Sequence, residues 1–235
     1  MRVAVIVFPG SNCDHDCYHA VKHVLGCETD FVWHKERELS GYDLVIVPGG
    51  FSYGDYLRAG SIARFSPVMD AVTAHAKRGG YLLGICNGFQ ILTEAGLLPG
   101  ALAQNVSMKF ICKNTPLRVE TENSYLTGGL KKGDIINVPV AHMDGRYIAD
   151  DKTLDTLQSD DRVLFRYCDE LGAVTDDANP NGSARNIAGI LNAEKNVAGM
   201  MPHPERVCEE SLGGVDGLLL FKAVLNAITS GKPAV

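Results

Sequence analysis

Cys86 stands where an apolar run meets a helix-like pattern, in Tyr81-Leu82-Leu83-Gly84-Ile85-Cys86-Asn87-Gly88-Phe89-Gln90. A strand that turns sharply into a helix pushes the side chain at the turn into the open. Glycines at 84 and 88 remove the Cβ atoms that would crowd such a turn. The dipole of the following helix would favour the thiolate, which is the nucleophilic form. By position alone, burial explains this residue better. Cysteine is among the most buried residue types, and the chain carries seven. A working nucleophile also needs a base, an orienting group and donors for the charge that develops on the attacked oxygen.

The segment Met201-Pro202-His203-Pro204-Glu205-Arg206 offers the first two. Two prolines restrict the backbone around His203. In an extended segment His203 and Glu205 project to the same side, so the carboxylate can fix the imidazole's tautomer. Taken alone, the same residues read as a rigid surface turn in which Arg206 pairs with Glu205. The third requirement points to Pro48-Gly49-Gly50-Phe51. Adjacent glycines after a strand leave backbone N–H groups open to an incoming oxygen, although an ordinary strand-to-helix turn looks the same. No segment has the spacing of a phosphate-binding loop or of a dinucleotide-binding turn, so no ATP site is assigned to this chain.

These residues need strands and helices to bring them together. The first half alternates. Arg2 to Phe8, Thr29 to Trp33, Leu44 to Val47 and Tyr81 to Ile85 read as strands. Cys13 to Leu25, Ser61 to Lys77 (despite Pro67) and Asn87 to Ala95 read as helices. Strands that are apolar throughout imply a parallel sheet covered on both faces, with the ligand site beyond the strands' carboxyl ends. Pro9-Gly10, Gly49-Gly50 and Cys86 fall at those ends. The second half is less regular. Leu117 to Thr121, Ile135 to Ala141 and Val163 to Tyr167 read as mixed or antiparallel strands. Asp176 to Asn186 reads as a loop. Ile187 to Leu191 and Val197 to Met201 read as a hairpin turning through residues 192–196, and Gly214 to Thr229 as a last helix stopped by Gly231. The expected architecture is α/β: one domain over residues 1–235, with a central, mostly parallel sheet flanked by helices.

Composition excludes several functions. A net charge of −6 with no basic run argues against nucleic-acid binding. No apolar stretch is long enough to span a bilayer, and no signal peptide is visible, so the expected location is cytoplasmic. Seven cysteines without a paired framework suit free thiols in a reducing compartment. Cys13, His15, Cys17 and His19 interleave, but no second ligand pair has finger-like spacing, so no metal is expected. The steps Cys13, Cys17, Val21, Val24 read better as one apolar helix face.

In this order the segments resemble a class I (triad-type) glutamine amidotransferase over essentially the whole chain, which implies a flavodoxin-like fold. Many members carry Leu or Tyr where this chain has Asn87, and His or Met where it has Phe89. With Pro9-Gly10-Ser11-Asn12-Cys13-Asp14 and the Phe51-Ser52-Tyr53-Gly54-Asp55 loop, these positions are similar to the glutaminase subunits that serve purine synthesis. Ala141-His142-Met143-Asp144-Gly145-Arg146 is similar to that branch's Ala-His-Gly-Glu-Gly-Arg signature and departs from it at Met143 and Asp144. The resemblance implies Cys86 as nucleophile, His203 as proton carrier and Glu205 as its orienter. It implies oxyanion donors in the N–H groups of Gly50 or Phe51 and of Asn87. It implies that Gln90 contacts L-glutamine, with Asn105 and Ser107 as candidates for the substrate's α-amino and carboxylate groups. His142 and Arg146 are candidates for an interface or the site rim. No cofactor is implied in this chain. Its partners would be a large synthetase subunit, which uses ATP and magnesium to make formylglycinamidine ribonucleotide, and a small bridging subunit. Three alternatives stay open. The first is a class I amidotransferase serving anthranilate, GMP or CTP synthesis. The second is a stand-alone amidase or chaperone-like protein of the same fold, pairing the cysteine with an early acid such as Asp14 or Asp16. The third is a scaffold in which Cys86 is merely buried.

Overall fold

The computed structural model describes residues 1–230. Its centre is a nine-stranded sheet. The strands are β1 (Arg2–Val7), β2 (Glu28–Trp33), β3 (Leu44–Val47), β4 (Tyr81–Ile85), β6 (Ile111–Val119), β7 (Ile135–His142), β9 (Val163–Tyr167), β10 (Ile187–Leu191) and β11 (Val197–Met200). Their order across the sheet is β2-β1-β3-β4-β11-β10-β9-β6-β7. The first five lie parallel and the remaining pairings are antiparallel. A separate two-stranded ribbon pairs β5 (Ala101–Ala103) with β8 (Arg146–Ile148).

The parallel half has the expected pattern for a reason visible in the burial. Every residue of β3 is buried, as are Val3, Ala4, Val5 and Ile6 of β1, because helices cover both faces. Each such Val, Leu or Ile contributes about 1.5–3 kcal/mol by leaving water, which fixes these short runs as central strands. The α-helices are α1 (Asp14–Tyr18), α2 (Val68–Lys77), α3 (Asn87–Glu94), α4 (Asp151–Ser159) and α5 (Asp216–Thr229), of which α1, α2 and α3 pack on the parallel strands.

Four elements differ from the sequence expectation. The helix foreseen over 13–25 is α1 followed by a π-helical stretch, His19–Val24, although Cys13, Cys17 and Val21 do share a buried face. The helix foreseen over 61–77 starts only after Pro67, which caps α2 with φ −51° while Ser66 is extended. Proline lacks an N–H and pushes its predecessor out of the helical region, so the earlier turns form separately. Strand β6 begins at Ile111, six residues before the expected Leu117, and runs through Pro116. That proline lies just beyond the pairs with β9, so its missing donor breaks no ladder there. Helix α4, capped by the Asp150 carboxylate accepting from Thr153 N–H at 2.7 Å, was not foreseen. The stop assigned to Gly231 lies outside the described residues.

The geometry at the far side of the sheet positions the site. Only Leu117 to Val119 of β6 pair with β9, whereas β6 pairs with β7 from Ile111 to Arg118. The β6–β7 ribbon therefore continues past the sheet and arches over the strand ends. His203 N–H donates to Pro139 O of β7 at 2.8 Å, and the Cys86 thiol points to Ala141 O at 3.7 Å.

Candidate active site

Cys86 caps α3 with φ 51° and ψ −108°, a backbone region that non-glycine residues rarely adopt. Such strain persists where surrounding contacts over-determine it. Here its own N–H donates to Met200 O at 2.8 Å and its carbonyl accepts from Gln90 N–H at 3.1 Å. A Cβ on Gly88 would sit 1.8 Å from Val47 O, so only glycine lets α3 start this close to β3. This is a nucleophile elbow in geometry, and Cys86 remains 5% exposed.

Strand β11 lies beside β4 with Met200 opposite Ile85, and this register carries His203 to the same edge as Cys86. His203 and Glu205 are each 1% exposed. His203 Nδ1 and Glu205 Oε1 are 2.7 Å apart, which fixes the tautomer with Nε2 free. His203 Nε2 is buried and has no hydrogen-bond partner among the described residues. Burial by itself would lower the imidazole's pKa. The charges of Glu205 and Cys86 outweigh it and hold His203 well above its ordinary value, a setting for an imidazolium that carries a proton. The early acids face elsewhere. Asp14 bonds to Ser11 Oγ and to His15 N–H, and Asp16 to Arg206, so neither pairs with Cys86. Arg206 likewise does not pair with Glu205 as a surface turn would require. Its Nε reaches Asp16 at 3.3 Å and its Nη2 reaches Cys13 Sγ at 3.1 Å.

The glycine loop after β3 is laced to the loop after β1. Phe51 N–H donates to Gly10 O at 3.1 Å and Tyr53 N–H to Pro9 O at 2.6 Å. Phe51 is therefore corrected as an oxyanion donor, because its N–H is already engaged. Gly50, at φ 131°, and Asn87, whose N–H opens helix α3 and so lacks an intrahelical acceptor, stay as the candidate donors.

A buried network ties this loop to the elbow helix. Ser52 N–H donates to Asn87 Oδ1 at 3.0 Å. Asn87 Nδ2 donates to Asp55 Oδ1 at 3.0 Å and to Gln90 Oε1 at 2.8 Å, and Gln90 Nε2 donates to Asp144 O at 2.6 Å. Asp55 is pushed up to about 6. Burial is the main cause, the Asn87 bond works against it, and the Asp144 charge adds to it. The sequence shows Asp55 only as a member of its loop, with no role. No local signal marks it, because its partner Asn87 comes from 32 positions away.

The remaining candidates divide. Asn105 is buried with its amide fully engaged. It donates to Lys109 O and His142 O and accepts from Gly145 N–H at 3.1 Å, so it props the 142–145 turn instead of presenting a free group. Ser107 is exposed, and its Oγ accepts from Lys109 N–H at 3.4 Å. His142 is no rim residue. It is 3% exposed, and burial together with the His203 charge lowers it to about 4, so it is neutral. Arg146 is half-buried, at the start of β8. A separate cavity of about 660 Å³, between Arg37–Tyr42 and His75–Arg78 at the other end of the strands, holds no cysteine beside a base.

Comparison with known proteins agrees with this geometry. Residues 1–213 match the CobB/CobQ-like glutamine amidotransferase domain family. The phosphoribosylformylglycinamidine synthase subunit PurQ of Salinibacter ruber is 56% identical over 97% of each chain. That of Aquifex aeolicus is 53% identical over 96% of this chain and all of its own. A chain of the solved PurLQS structure from Thermotoga maritima superposes with a TM-score of 0.86 at 46% identity, covering 97% of this chain and 98% of that one. Another glutamine amidotransferase from Thermotoga maritima shares the fold, with a TM-score of 0.57 at 16% identity, over 100% of this chain and 94% of that one. With its elbow cysteine, its His–Glu pair and these relatives, the chain belongs to the class I glutamine amidotransferase family.

Proposed function

We propose that Cys86, His203 and Glu205 hydrolyse glutamine in this chain, which serves as the glutaminase subunit of phosphoribosylformylglycinamidine synthase. The observation that carries the chemistry is the His203–Glu205 bond of 2.7 Å beside an elbow cysteine, with His203 Nε2 left free. The Cys86 thiolate adds to the side-chain carboxamide carbon of glutamine. The N–H groups of Gly50 and Asn87 receive the charge on oxygen, and each such donor is worth about 3–4 kcal/mol of barrier. Imidazolium His203 gives its proton to the departing nitrogen. Ammonia leaves and a γ-glutamyl thioester remains. His203 then takes a proton from water, the hydroxide adds to the thioester carbon, and the thiolate is expelled with glutamate as product. Glu205 holds the ring and stabilises its charge throughout. Gln90 orients the substrate from the network it shares with Asn87 and Asp144.

The ammonia passes to a large synthetase subunit, where ATP and magnesium drive formation of formylglycinamidine ribonucleotide, with a small bridging subunit completing the complex. Exposed Tyr56, Leu57 and Met108 support such an assembly, because they lie on the loops bordering the site, where a partner would cover them. The whole chain acts as one domain, in the cytoplasm. No helix among the described residues is long and apolar enough to cross a membrane.

Cys86→Ala in the assembled complex tests the reading. Glutamine-dependent synthesis should fall by at least about 10⁴-fold, while ammonium chloride restores it. Retained glutamine turnover in that variant would refute the assignment of Cys86. Failure of rescue in an intact complex would refute ammonia delivery as this chain's only task.

A further inference from the structure

A second thiol that the proposed mechanism leaves unused lies against the same histidine. Cys13 precedes α1, is 2% exposed, and its N–H donates to Gly49 O at 3.3 Å. A Cβ placed on Gly49 would sit 2.8 Å from His203 Cε1, 3.1 Å from Cys13 Sγ and 3.4 Å from Cys86 Cβ, so one point touches all three residues. Ligand atoms of Cys13, His203 and Glu205 lie within 4.8 Å of one another, all on buried residues. Glu205 Oε1 holds His203, but Glu205 Oε2 is buried without a hydrogen-bond partner among the described residues. A buried carboxylate oxygen left unsatisfied is costly unless something positive approaches it.

A cavity of about 400 Å³ is lined by Asp16, His19, Glu205, Arg206, Glu209 and Leu212, without Cys86. Three carboxylates and an imidazole line it against one guanidinium, a balance that draws in cations. A thiolate, an imidazole and a carboxylate form a zinc-type donor set, with a fourth position for water. The hard cations magnesium and calcium prefer oxygen alone.

We propose that Cys13, His203 and Glu205 form an inhibitory site for a thiophilic divalent cation of the zinc type, filled from the Asp16–Glu209 cavity. Binding releases the Cys13 thiol proton and a ring proton of His203 to solvent. Arg206 is the opposing group. Its Nη2 lies 3.1 Å from Cys13 Sγ and must swing away, towards Asp16, before a cation enters. The bound metal withdraws His203 and Glu205 from proton transfer and leaves the approach to Cys86 open. It therefore lowers kcat and leaves KM for glutamine unchanged. This inhibitory clause rests on the proposed triad roles; the binding clause does not.

The test uses the assembled complex and two readouts. Cobalt(II) is titrated anaerobically into a Cys86→Ala background, which removes the thiol of the proposed nucleophile, and the thiolate-to-cobalt absorption band is followed. Zinc inhibition of glutamine hydrolysis is measured in the protein with Cys86 intact. Cys13→Ser should remove the band and weaken zinc inhibition by at least about tenfold, and a chelator should reverse the inhibition. Arg206→Met, which keeps every ligand, should tighten cobalt binding several-fold. Unchanged cobalt and zinc behaviour in Cys13→Ser would overturn the proposal, as would weaker cobalt binding in Arg206→Met. A Cys13-dependent band with hydrolysis unaffected by saturating zinc would keep the site and overturn instead the roles given to His203 and Glu205.

Discussion

In the parallel half, β1, β3, β4 and β11 all stop at one edge, and each turn there delivers a loop or side chain to the site. In the antiparallel half, β6 and β7 do not stop at that edge. They continue over it, and Pro139, Ala141 and His142 close on His203 and Cys86 from above. The first half places the proposed reacting groups by strand register, set by the parallel pairing of β1, β3, β4 and β11. The second half places a cover through amide side chains. Asn105 ties the loop before β6 to the turn after β7, and Asn181 donates to Gly145 O at 2.8 Å. The proposed reacting groups sit on turns set by strand pairing, with the Glu205 carboxylate also holding His203, and the cover adds amide side chains to its own backbone ladder. Substitutions in the first half should therefore remove chemistry, and those in the second should loosen substrate fit.

The largest effect separating the halves is expected at His203 and Glu205. His203→Ala should lower kcat by about 10³–10⁴-fold or more with the melting temperature little changed, and Glu205→Gln somewhat less. Circular dichroism melts beside glutaminase assays check this. A fall in stability matching the fall in rate would make the pair structural. Next in size is Gly88→Ala, whose Cβ has no space against Val47 O. Overpacking at such a point costs about 3 kcal/mol, readable as a lower urea midpoint. An unchanged midpoint would mean that α3 can shift away from β3, and the register argument would fail.

The cover is probed by Asn181→Ala. This removes buried bonds to Gly145 O and Tyr167 Oη, for a loss of about 1–3 kcal/mol. We expect KM for glutamine to rise with kcat nearly held. A kcat defect as large as that of His203→Ala would erase the distinction between the halves.

The smallest expected effect is electrostatic. Asp55 is raised in the folded state from 3.8 to about 6, so the fold retains a proton there that the unfolded chain has released. Its contribution makes stability fall as pH rises from 3.8 to about 6. His142 runs the other way. Lowered from 6.5 to about 4, it makes stability fall as pH drops through that window. Asp55→Asn should therefore remove the first trend and leave the second, as seen in melting temperatures across the range. An identical pH profile in wild type and variant would show that the carboxyl is solvated in the folded protein.

How much the sequence revealed follows the same division. Cys86, His203 and Glu205 were legible because each sits beside residues that announce a turn, and because apolar runs name their own strands. The start of β6 was hidden by Pro116, which reads as a strand breaker unless its place beyond the β9 pairs is known. Phe51 looked like an oxyanion donor because a glycine loop shows which N–H groups exist, not which are already donated. His142 looked like a rim residue because a histidine among polar neighbours reads as exposed. The overhanging ribbon buries it.

What the sequence determined by itself is the list of strands, the elbow at Cys86 and the spacing of His203 from Glu205. These depend on side-chain period and turn chemistry within a few residues. The tertiary structure alone decided which of these segments meet. The pairing of β4 with β11 joins Cys86 to a histidine 117 positions later. The crossing of the loop after β1 beneath that histidine puts Cys13 beside it and turns Arg206 towards that thiol. The physical reason is that these contacts are long-range: their energy comes from closing the sheet and desolvating its ends, and no local segment records it.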